Sequence, residues 1–300
     1  MIDLADHIER RKLAALILAD IDRYCVEALQ DGPREHLGAS VIGEPCYAKL
    51  WNDFRWLKQE QFEGRILRLF ERGKLEESRF VKLLTGVGFE VRELADNGEQ
   101  WRMSGCNNHF GGSLDAIAKP PARYDVPNDL ILPNEYKTHG EKSFSDLVKN
   151  GVRVSKPMHY AQLCCYGRAY GYRYGLYLAV NKNTDHLWPE IVPLDWDLAD
   201  TLYRKADSVI HAKEQPPKIA QVATFYTCKT CVHSGICHNG ELPEKNCRSC
   251  KFAVPVERGE WACTNDNSIF STERTCYTLD QDTIKAGCDQ WSAIINGERQ

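Results

Sequence analysis

Three residues of the chain have the types and the spacing of a metal-binding hydrolytic site. Asp115 is followed twenty residues later by Glu135, and Lys137 stands two positions beyond. On a strand, Glu135 and Lys137 would share one face. Two carboxylates that converge repel each other unless a cation lies between them, and Mg²⁺ typically takes carboxylates, waters and phosphate oxygens. The spacing predicts a metal-dependent phosphodiesterase site, in which Lys137 orients the nucleophile or offsets charge growing on the phosphate.

The elements that must position these residues are helices and strands in mixed order. Helical periodicity and strand-like runs follow one another as helical 3–30, helical 58–84, strand 101–118, strand 130–137 and helical 158–170. If the two strand-like runs pair as a hairpin, Asp115 reaches the face of Glu135 and Lys137. The predicted fold class is therefore α/β, with a mixed central sheet flanked by helices and an N-terminal helical layer.

Composition bounds the possible functions. The 300 residues are 43% hydrophobic and carry a net charge of −4, whereas proteins that bind nucleic acid mainly by neutralising phosphates usually have a basic excess. Any contact with DNA must therefore be local. The longest apolar run near the N-terminus covers residues 13–19, far short of the roughly 20 that a membrane span needs, so we expect neither a membrane span nor a signal peptide.

Four landmarks occur in a fixed order along the chain: Gly73-Lys74-Leu75-Glu76-Glu77, Asp115, Glu135-Tyr136-Lys137 and Gln162-Leu163-Cys164-Cys165-Tyr166. In this ordered set the chain resembles the RecB-like branch of the PD-(D/E)XK nucleases, which includes AddB-type recombination nucleases, iron–sulfur CRISPR-adaptation nucleases and phage exonucleases. The resemblance implies a restriction-endonuclease-like core and a site in which Glu77, Asp115 and Glu135 bind Mg²⁺ or Mn²⁺. It also implies catalytic-site roles for Lys137, Gln162 and Tyr166, and Glu77 stands where some members have histidine.

A basic segment follows the predicted catalytic strand. It contains Lys142, Lys149, Arg153 and Lys156, with Phe144 and Tyr160 nearby. Positive charge mixed with aromatic rings is what a groove that tracks a nucleic-acid backbone needs, although a solvated loop explains each residue equally well. His139 and His159 are assigned no catalytic role.

Thirteen cysteines are present, and eight of them fall between Cys228 and Cys288, with CxxC pairs. Without a secretory signal this pattern predicts metal ligation in a reducing cytosol rather than disulfides. The other cysteines of the chain, apart from Cys46, are interpreted as small core residues: Cys25, Cys106, Cys164 and Cys165.

The first cysteine group is Cys228, Cys231 and Cys237, in a CxxC-x5-C spacing. Three thiolates are one short of the four that zinc or a [4Fe-4S] cluster requires. The resemblance to the iron–sulfur members of the family implies a [4Fe-4S] cluster with Cys46 as the fourth ligand. The alternative is a structural zinc ion completed by another C-terminal side chain, namely His233, His238 or Cys247.

The second group is Cys247, Cys250, Cys263 and Cys288, which resembles a small zinc ribbon. Cys276 is a spare that could replace Cys263 or Cys288. The predicted organisation is a helical segment with the nuclease core in 1–217, an iron–sulfur segment in 218–240 and a zinc-ribbon-like module in 241–300, the first boundary being marked by Gln215-Pro216-Pro217.

The function expected from these observations is that of a Mg²⁺- or Mn²⁺-dependent deoxyribonuclease, an exonuclease acting at DNA ends or on single strands in recombination or DNA processing. The expected partners are DNA and a recombination or single-strand-binding protein, in the cytoplasm of a bacterium or of a phage-infected host. An endonuclease of the same fold and a non-catalytic zinc and iron–sulfur nucleic-acid-binding module are the alternatives. A radical enzyme fits less well, because the CxxxCxxC spacing is absent from the sequence.

Overall fold

A computed structural model describes residues 6–265 and 277–295 of the chain. Within these ranges the α-helices are α1 (His7–Leu29), α2 (Tyr47–Phe54), α3 (Gly64–Gly86), α4 (Glu141–Ser155), α5 (Pro157–Tyr170), α6 (Trp196–Ile210), α7 (Ser234–Asn239) and α8 (Gln281–Ala286). The β-strands are β1 (Leu37–Gly38), β2 (Glu90–Arg92), β3 (Arg102–Gly105), β4 (Phe110–Ser113), β5 (Ala116–Lys119), β6 (Leu132–His139), β7 (Tyr174–Asn181), β8 (Leu187–Pro193), β9 (Ala253–Pro255), β10 (Trp261–Cys263) and β11 (Tyr277–Leu279). The mixed α/β class predicted from the sequence is confirmed.

The largest sheet has five strands in the order β2-β5-β6-β7-β8. β5 and β6 are antiparallel neighbours, as the predicted hairpin requires, and Ala116 lies opposite Asn134. β6 and β7 are parallel, with Glu135 opposite Tyr177. A parallel pair needs a crossover connection, which α4 and α5 supply. The sheet is therefore mixed and flanked by helices.

The two faces of this sheet pack against different helices. On one face, Tyr136 of β6 stacks against Phe80 of α3, with ring centroids 5.2 Å apart. On the other face, Tyr177 of β7 lies in an apolar cluster with residues of α4 and α5. Since side chains alternate along a strand and Glu135 stands opposite Tyr177, Glu135 and Lys137 point to the face that α5 covers.

Helix α3 begins at Gly64 and not near residue 58, where the sequence periodicity placed the start of the second helix. The residues before Gly64 bond to the loop after α1: the backbone N–H of Phe62 donates to the side-chain oxygen of Gln30 at 3.1 Å. A side-chain carbon on Gly64 would lie 2.5 Å from the carbonyl oxygen of Asp22. The close approach of α1 to α3 at this glycine fixes where α3 starts.

Two buried arginines join the N-terminal part of the chain to its cysteine-rich C-terminal part. Arg248 donates hydrogen bonds to the carbonyl oxygens of Phe54 at 3.2 Å and Glu35 at 2.7 Å. Arg55 donates in turn to the carbonyl oxygen of Ala253 at 2.8 Å. Both side chains are buried, and their bonds to Ala253 and Phe54 form away from solvent. We call Arg55 and Arg248 the arginine clasp.

Two small sheets, β1-β4-β3 and β11-β10-β9, complete the strand pairing. β1 pairs in parallel with β4, with Leu37 opposite Phe110. The segment that leads to Cys46 is thereby fixed beside the strand that leads to Asp115. Among the described helices, none combines the length and the apolar character that crossing a bilayer would require.

Candidate functional site

The β5–β6 hairpin brings Asp115, Glu135 and Lys137 together. Asp115 immediately precedes β5, and its Oδ2 accepts a hydrogen bond from the backbone N–H of Tyr136 at 2.7 Å. The ammonium of Lys137 forms an ion pair with Oε1 of Glu135 and donates to the carbonyl oxygen of Tyr136 at 3.1 Å. The three residues singled out by spacing therefore occupy one site.

The Glu135 carboxylate is fully buried, and neither of its oxygens accepts a well-aligned hydrogen bond from any described residue. Burial, and then the charges of Asp115 and Glu77, raise the pKa of Glu135 to about 7, against the opposing attraction of Lys137. Burial also raises the pKa of Asp115. For Lys137, burial acts to lower the pKa, but the charges of Glu135 and Asp115 outweigh it and the pKa is raised. The site concentrates negative charge that a divalent cation would neutralise.

Glu77 approaches the same site from α3. It is half-buried, and burial followed by the charge of Asp115 raises its pKa to about 6. Glu77, the last residue of the first sequence landmark, is thus a carboxylate that interacts electrostatically with the strand residues. A third oxygen donor beside Asp115 and Glu135 suits a hard cation such as Mg²⁺ or Mn²⁺.

Gln162 and Tyr166 lie on one face of α5 and form a single hydrogen-bonded chain. The amide of Gln162 donates to the hydroxyl oxygen of Tyr166 at 3.2 Å, and the Tyr166 hydroxyl donates to the carbonyl oxygen of Ser113 at 2.8 Å. Both side chains are buried. A side-chain carbon on Gly112 would lie 2.7 Å from the Tyr166 hydroxyl oxygen, so the glycine allows this contact. The pair fastens the end of β4 directly before Asp115.

The carboxylates fit a divalent cation by their chemistry, but they do not form a closed cage. Within residues 6–265 and 277–295, no three His, Cys, Asp or Glu side chains stand close enough together to hold a metal ion as they are. The Lys137 ammonium is the cation in contact with Glu135. Oε2 of Glu135 and the half-buried carboxylate of Glu77 are the donors available to an ion.

The basic segment lies on α4 and at the start of α5, and its aromatic residues do not face solvent. Lys142, Lys149 and Arg153 are exposed. Phe144 and Tyr160 are 7% and 5% exposed and pack in the apolar cluster between the helices and β7. The two rings are therefore not available to stack on bases, because the apolar face of α4 and the buried helix α5 direct them inward.

Cys46 lies near two of the C-terminal cysteines from which the sequence separates it widely. It caps α2, and its sulfur accepts a hydrogen bond from the backbone N–H of Lys49 at 3.4 Å. Burial, and then the charges of Cys231 and Cys46, raise the pKa of Cys237. The carbonyl oxygen of Cys228 accepts a hydrogen bond from the N–H of Cys231 at 3.2 Å, which closes the CxxC turn. The structure thus places Cys46 within electrostatic reach of Cys231 and Cys237.

The second cysteine group lines one cavity. Cys247, Cys250, Cys263 and Cys288 all contribute to its wall, and its volume is about 20 Å³. Burial, followed by the charges of the three other thiols, raises the pKa of Cys247 to about 12. Thiolates are the donors that tetrahedral zinc sites use, although the four sulfur atoms do not stand close enough together to hold an ion as they are. Cys276, the spare cysteine, lies outside the described residues.

The remaining cysteines are placed largely as small apolar residues. Cys25, Cys164 and Cys165 are buried, at 4%, 0% and 0% exposure. Cys106 is only half-buried, and burial raises its pKa to about 11. A thiol with a raised pKa is largely protonated at neutral pH and is a poor nucleophile, which agrees with a packing role.

The sequence interpretation assigned no role to His139 and His159, yet both lie beside the site. Each imidazole hydrogen-bonds to the hydroxyl of Tyr177, at 2.9 and 2.8 Å respectively. The available signal was the position of His159, three residues before Gln162 on the same face of a helix. Tyr177 reaches the two histidines because of the β6–β7 register, and no local sequence pattern predicts that register.

No protein-family model matches the chain, and no curated protein matches it. Among solved structures, the crystal structure of SSO0001 is similar with a TM-score of 0.42 and 17% identity, over 74% of this chain and 96% of that one. An alkaline exonuclease from Laribacter hongkongensis, LHK-Exo, is similar with a TM-score of 0.40 and 12% identity, over 64% of this chain and 90% of that one. LHK-Exo in complex with dAMP has the same TM-score of 0.40 and 12% identity, over 62% and 89%. Similarity at this level carries no argument about function, which depends on the site itself.

Proposed function

We propose that the chain is a metal-dependent DNA nuclease that hydrolyses phosphodiester bonds, an exonuclease acting at DNA ends or in single strands during recombination or DNA processing. The observation that carries the proposal is the Glu135 carboxylate, which is fully buried and lacks well-aligned hydrogen bonds beside Asp115 and Lys137. A buried charge without sufficient partners is costly. Its presence next to a second carboxylate indicates a site that binds a cation.

Each residue of the site is positioned for a specific role in metal binding or hydrolysis. Glu77, Asp115 and Glu135 would hold Mg²⁺ or Mn²⁺ through carboxylate oxygens. The bound ion supplies positive charge that polarises the phosphoryl group and activates water. Lys137 orients the attacking water and offsets the negative charge that develops on the phosphate. The backbone N–H of Tyr136 keeps Asp115 in place.

Two further site residues act on Asp115 through the backbone. The hydrogen-bonded chain from Gln162 through Tyr166 to Ser113 holds the strand end that precedes Asp115. Fixed positioning of reacting groups contributes substantially to enzymatic rates, and small displacements are expensive. We expect substitution of Tyr166 by phenylalanine to lower the rate without removing metal binding.

The substrate follows from the charge around the site. The chain is acidic overall, but α4 follows β6 directly and exposes Lys142, Lys149 and Arg153. Local positive charge of this kind binds the phosphates of a nucleic-acid strand. We propose that the DNA strand runs along α4 into the carboxylate site.

The test uses linear duplex, linear single-stranded and covalently closed circular DNA with Mg²⁺ or Mn²⁺. Wild type should digest linear DNA, and Lys137→Ala should lower the rate about a hundredfold or more. Lys82→Ala, at an exposed lysine of α3, is the matched control and should retain the wild-type rate. Digestion of linear DNA alone supports an exonuclease, whereas cleavage of the circle supports the endonuclease alternative.

Intact DNA in every wild-type lane would overturn the enzymatic proposal. If Lys137→Ala and Asp115→Ala leave every measured activity unchanged while the chain still binds DNA, the non-catalytic nucleic-acid-binding module is the correct alternative. Both variants retain the apolar contacts of β6, so we expect them to fold. Unfolding curves of the variants and of wild type check this expectation.

We further propose that Cys46, Cys228, Cys231 and Cys237 hold a [4Fe-4S] cluster. Support comes from the electrostatic proximity of Cys46 to Cys231 and Cys237. The zinc alternative completed by Cys247 fits less well, because Cys247 lines the other cavity. Anaerobically purified wild type should contain iron and sulfide with visible absorbance. Cys46→Ser should lose both and Cys106→Ser should keep them, whereas zinc in place of iron would contradict the cluster.

We propose a structural Zn²⁺ for the second group, held by Cys247, Cys250, Cys263 and Cys288. Their convergence on one cavity supports this donor set. Elemental analysis should find zinc in wild type and much less in Cys250→Ser. An unchanged zinc content in Cys250→Ser would contradict the ligand set.

A further inference from the structure

A hydrogen-bonded chain of neutral groups leads from the start of α4 to the edge of the candidate active site. Ser143 Oγ lies 3.3 Å from Nδ1 of His139, and Nε2 of His139 lies 2.9 Å from the hydroxyl of Tyr177. That hydroxyl lies 2.8 Å from Nδ1 of His159. The three rings are stacked with interplanar angles between 21° and 23°. Three side chains from three other elements thus fix the orientation of one imidazole, that of His159.

The outer nitrogen of this imidazole is available to a ligand. Among the described residues, the only hydrogen bond of the His159 ring is the one through Nδ1. Its Nε2 is not among the fully buried polar atoms that lack a partner, so it is not sealed from solvent. His159 is half-buried, which leaves the ring both held and accessible.

His159 belongs to the same site as the carboxylates and Lys137. On α5 it shares a helical face with Gln162 and Tyr166, at positions three and seven residues further on. Tyr177, its hydrogen-bond partner, stands opposite Glu135 in the β6–β7 register. Burial, and then the positive charge of Lys137, lower the pKa of His159 to about 3. The imidazole therefore lies within the electrostatic reach of Lys137.

Because both histidines are neutral, the hydrogen bonds from Ser143 to His159 have a defined donor-to-acceptor direction. Burial, and then Lys156 and Lys137, lower the pKa of His139 to about 4, so both rings are neutral at neutral pH. A neutral imidazole has one N–H and one acceptor nitrogen, and a tyrosine hydroxyl has one hydrogen. Among the described residues, the Tyr177 hydroxyl contacts only these two histidine nitrogens. When its hydrogen bonds to one of them, all the bonds run the same way, toward His159 or away from it. Only the direction toward His159 leaves an N–H on its Nε2.

A phosphate oxygen selects that direction. An anion accepts hydrogen bonds and cannot donate one, so it stabilises the arrangement in which His159 Nε2 carries the proton. Lys137 and Lys156 supply the positive field in which such an anion would bind, and His159 lies in the first turn of α5, where a helix favours negative charge. The chemistry of the surroundings is that of a phosphate site.

We propose that His159 binds a phosphate oxygen of the DNA strand through its Nε2–H, beside Lys137, and that His139 and Tyr177 are positioning residues that set the orientation of its ring. The inference depends on the nuclease function proposed above. It adds a substrate-contacting residue outside the four landmarks of the sequence. Because the rings are neutral, His159 contributes a directed hydrogen bond and no net charge.

The test measures kcat and KM on linear DNA for wild type, His159→Ala, His159→Gln and Tyr177→Phe. His159→Ala should lower kcat/KM about ten- to a hundredfold, the loss expected for one hydrogen bond to a charged group. Glutamine places an N–H donor near the position of Nε2, so His159→Gln should retain more activity than His159→Ala. Tyr177→Phe should show an intermediate loss. His186→Ala, at an exposed histidine, is the matched control and should match wild type.

Added imidazole distinguishes a substrate contact from a packing role. It should restore part of the activity of His159→Ala and leave Tyr177→Phe unchanged, while unfolding curves report any loss of fold. Wild-type kinetics in His159→Ala would overturn the inference and leave the nuclease proposal standing. A loss that imidazole does not restore and that His159→Gln shares fully would also overturn it. Wild type that leaves DNA intact would overturn the nuclease function and this inference with it.

Discussion

Replacement of Glu135 by glutamine removes the buried charge of the site and keeps the shape of the side chain. The folded-state pKa of Glu135 is about 7, above the ordinary value of 4.5. A carboxyl group with a raised pKa in the folded state contributes stability that is fully present below about pH 4.5 and is lost as the pH rises through about 7. Wild type without metal should therefore lose stability relative to Glu135→Gln across this window.

The magnitude follows from the two pKa values. A difference of one in pKa corresponds to about 1.4 kcal/mol, so the rise from 4.5 to about 7 corresponds to about 3 kcal/mol at most. The variant also removes the ion-pair partner of Lys137. That ion pair forms only when Glu135 is ionised, and its attraction is already included in the pKa of about 7, so it needs no separate allowance.

The assay is denaturant unfolding of both proteins in a chelator at about pH 5 and about pH 8. From about pH 5 to about pH 8, the free energy of unfolding of Glu135→Gln should rise by about 2 kcal/mol relative to that of wild type. Added Mg²⁺ should raise the stability of wild type at the higher pH by mass action and leave the variant almost unchanged. Glu27→Gln, at an exposed residue of α1, should follow wild type. Equal pH dependence of wild type and Glu135→Gln would refute the electrostatic account of the site.

Three other predictions concern the framework of the site. Cys247→Ser should lower the thermal unfolding midpoint as much as a zinc chelator lowers that of wild type, and the chelator should add nothing to the variant; an additive effect would contradict zinc ligation by this residue. Gly64→Ala should destabilise the protein by about 1–3 kcal/mol in urea, because the new carbon would meet the carbonyl oxygen of Asp22 at 2.5 Å. A side-chain carbon at Gly73 would meet no atom within 4 Å outside its own helix backbone, so Gly73→Ala should instead stabilise α3 by about 1 kcal/mol. Equal effects of Gly64→Ala and Gly73→Ala on stability would be inconsistent with a tight contact between α1 and α3. Arg248→Ala should cost about 3–5 kcal/mol in the same assay, because a large buried side chain is lost and the buried carbonyl oxygen of Phe54 loses its donor; a cost near zero would show that the arginine clasp is dispensable.

The parts of the site that the sequence predicts are those governed by short periodicities. Glu135 and Lys137 share a face because strands repeat every two residues, and Gln162 and Tyr166 share one because helices bring residues four apart together. The position of Asp115 required only that two adjacent strand-like runs pair as a hairpin, which β5 and β6 do.

Features set by tertiary packing were not predictable in this way. Phe144 and Tyr160 have the composition of a stacking platform, yet the side of α4 and α5 that carries them packs inward. The start of α3 depends on a backbone of α1 that approaches Gly64. The link between His159 and Tyr177 depends on how β7 aligns with β6. Each of these requires knowledge of a partner that is distant in the sequence.

The arginine clasp has a consequence for how the chain folds during synthesis. The hydrogen bond from Arg248 to Phe54 joins residues 194 positions apart. At roughly 5–20 residues per second, the ribosome needs about 10 to 40 s to deliver the second partner after the first. During that interval the carbonyl oxygens of Phe54 and Glu35 lack their donor, and the aromatic residues around them are open to chaperones and proteases. Completion of the core must therefore wait until the cysteine-rich segment has left the ribosome.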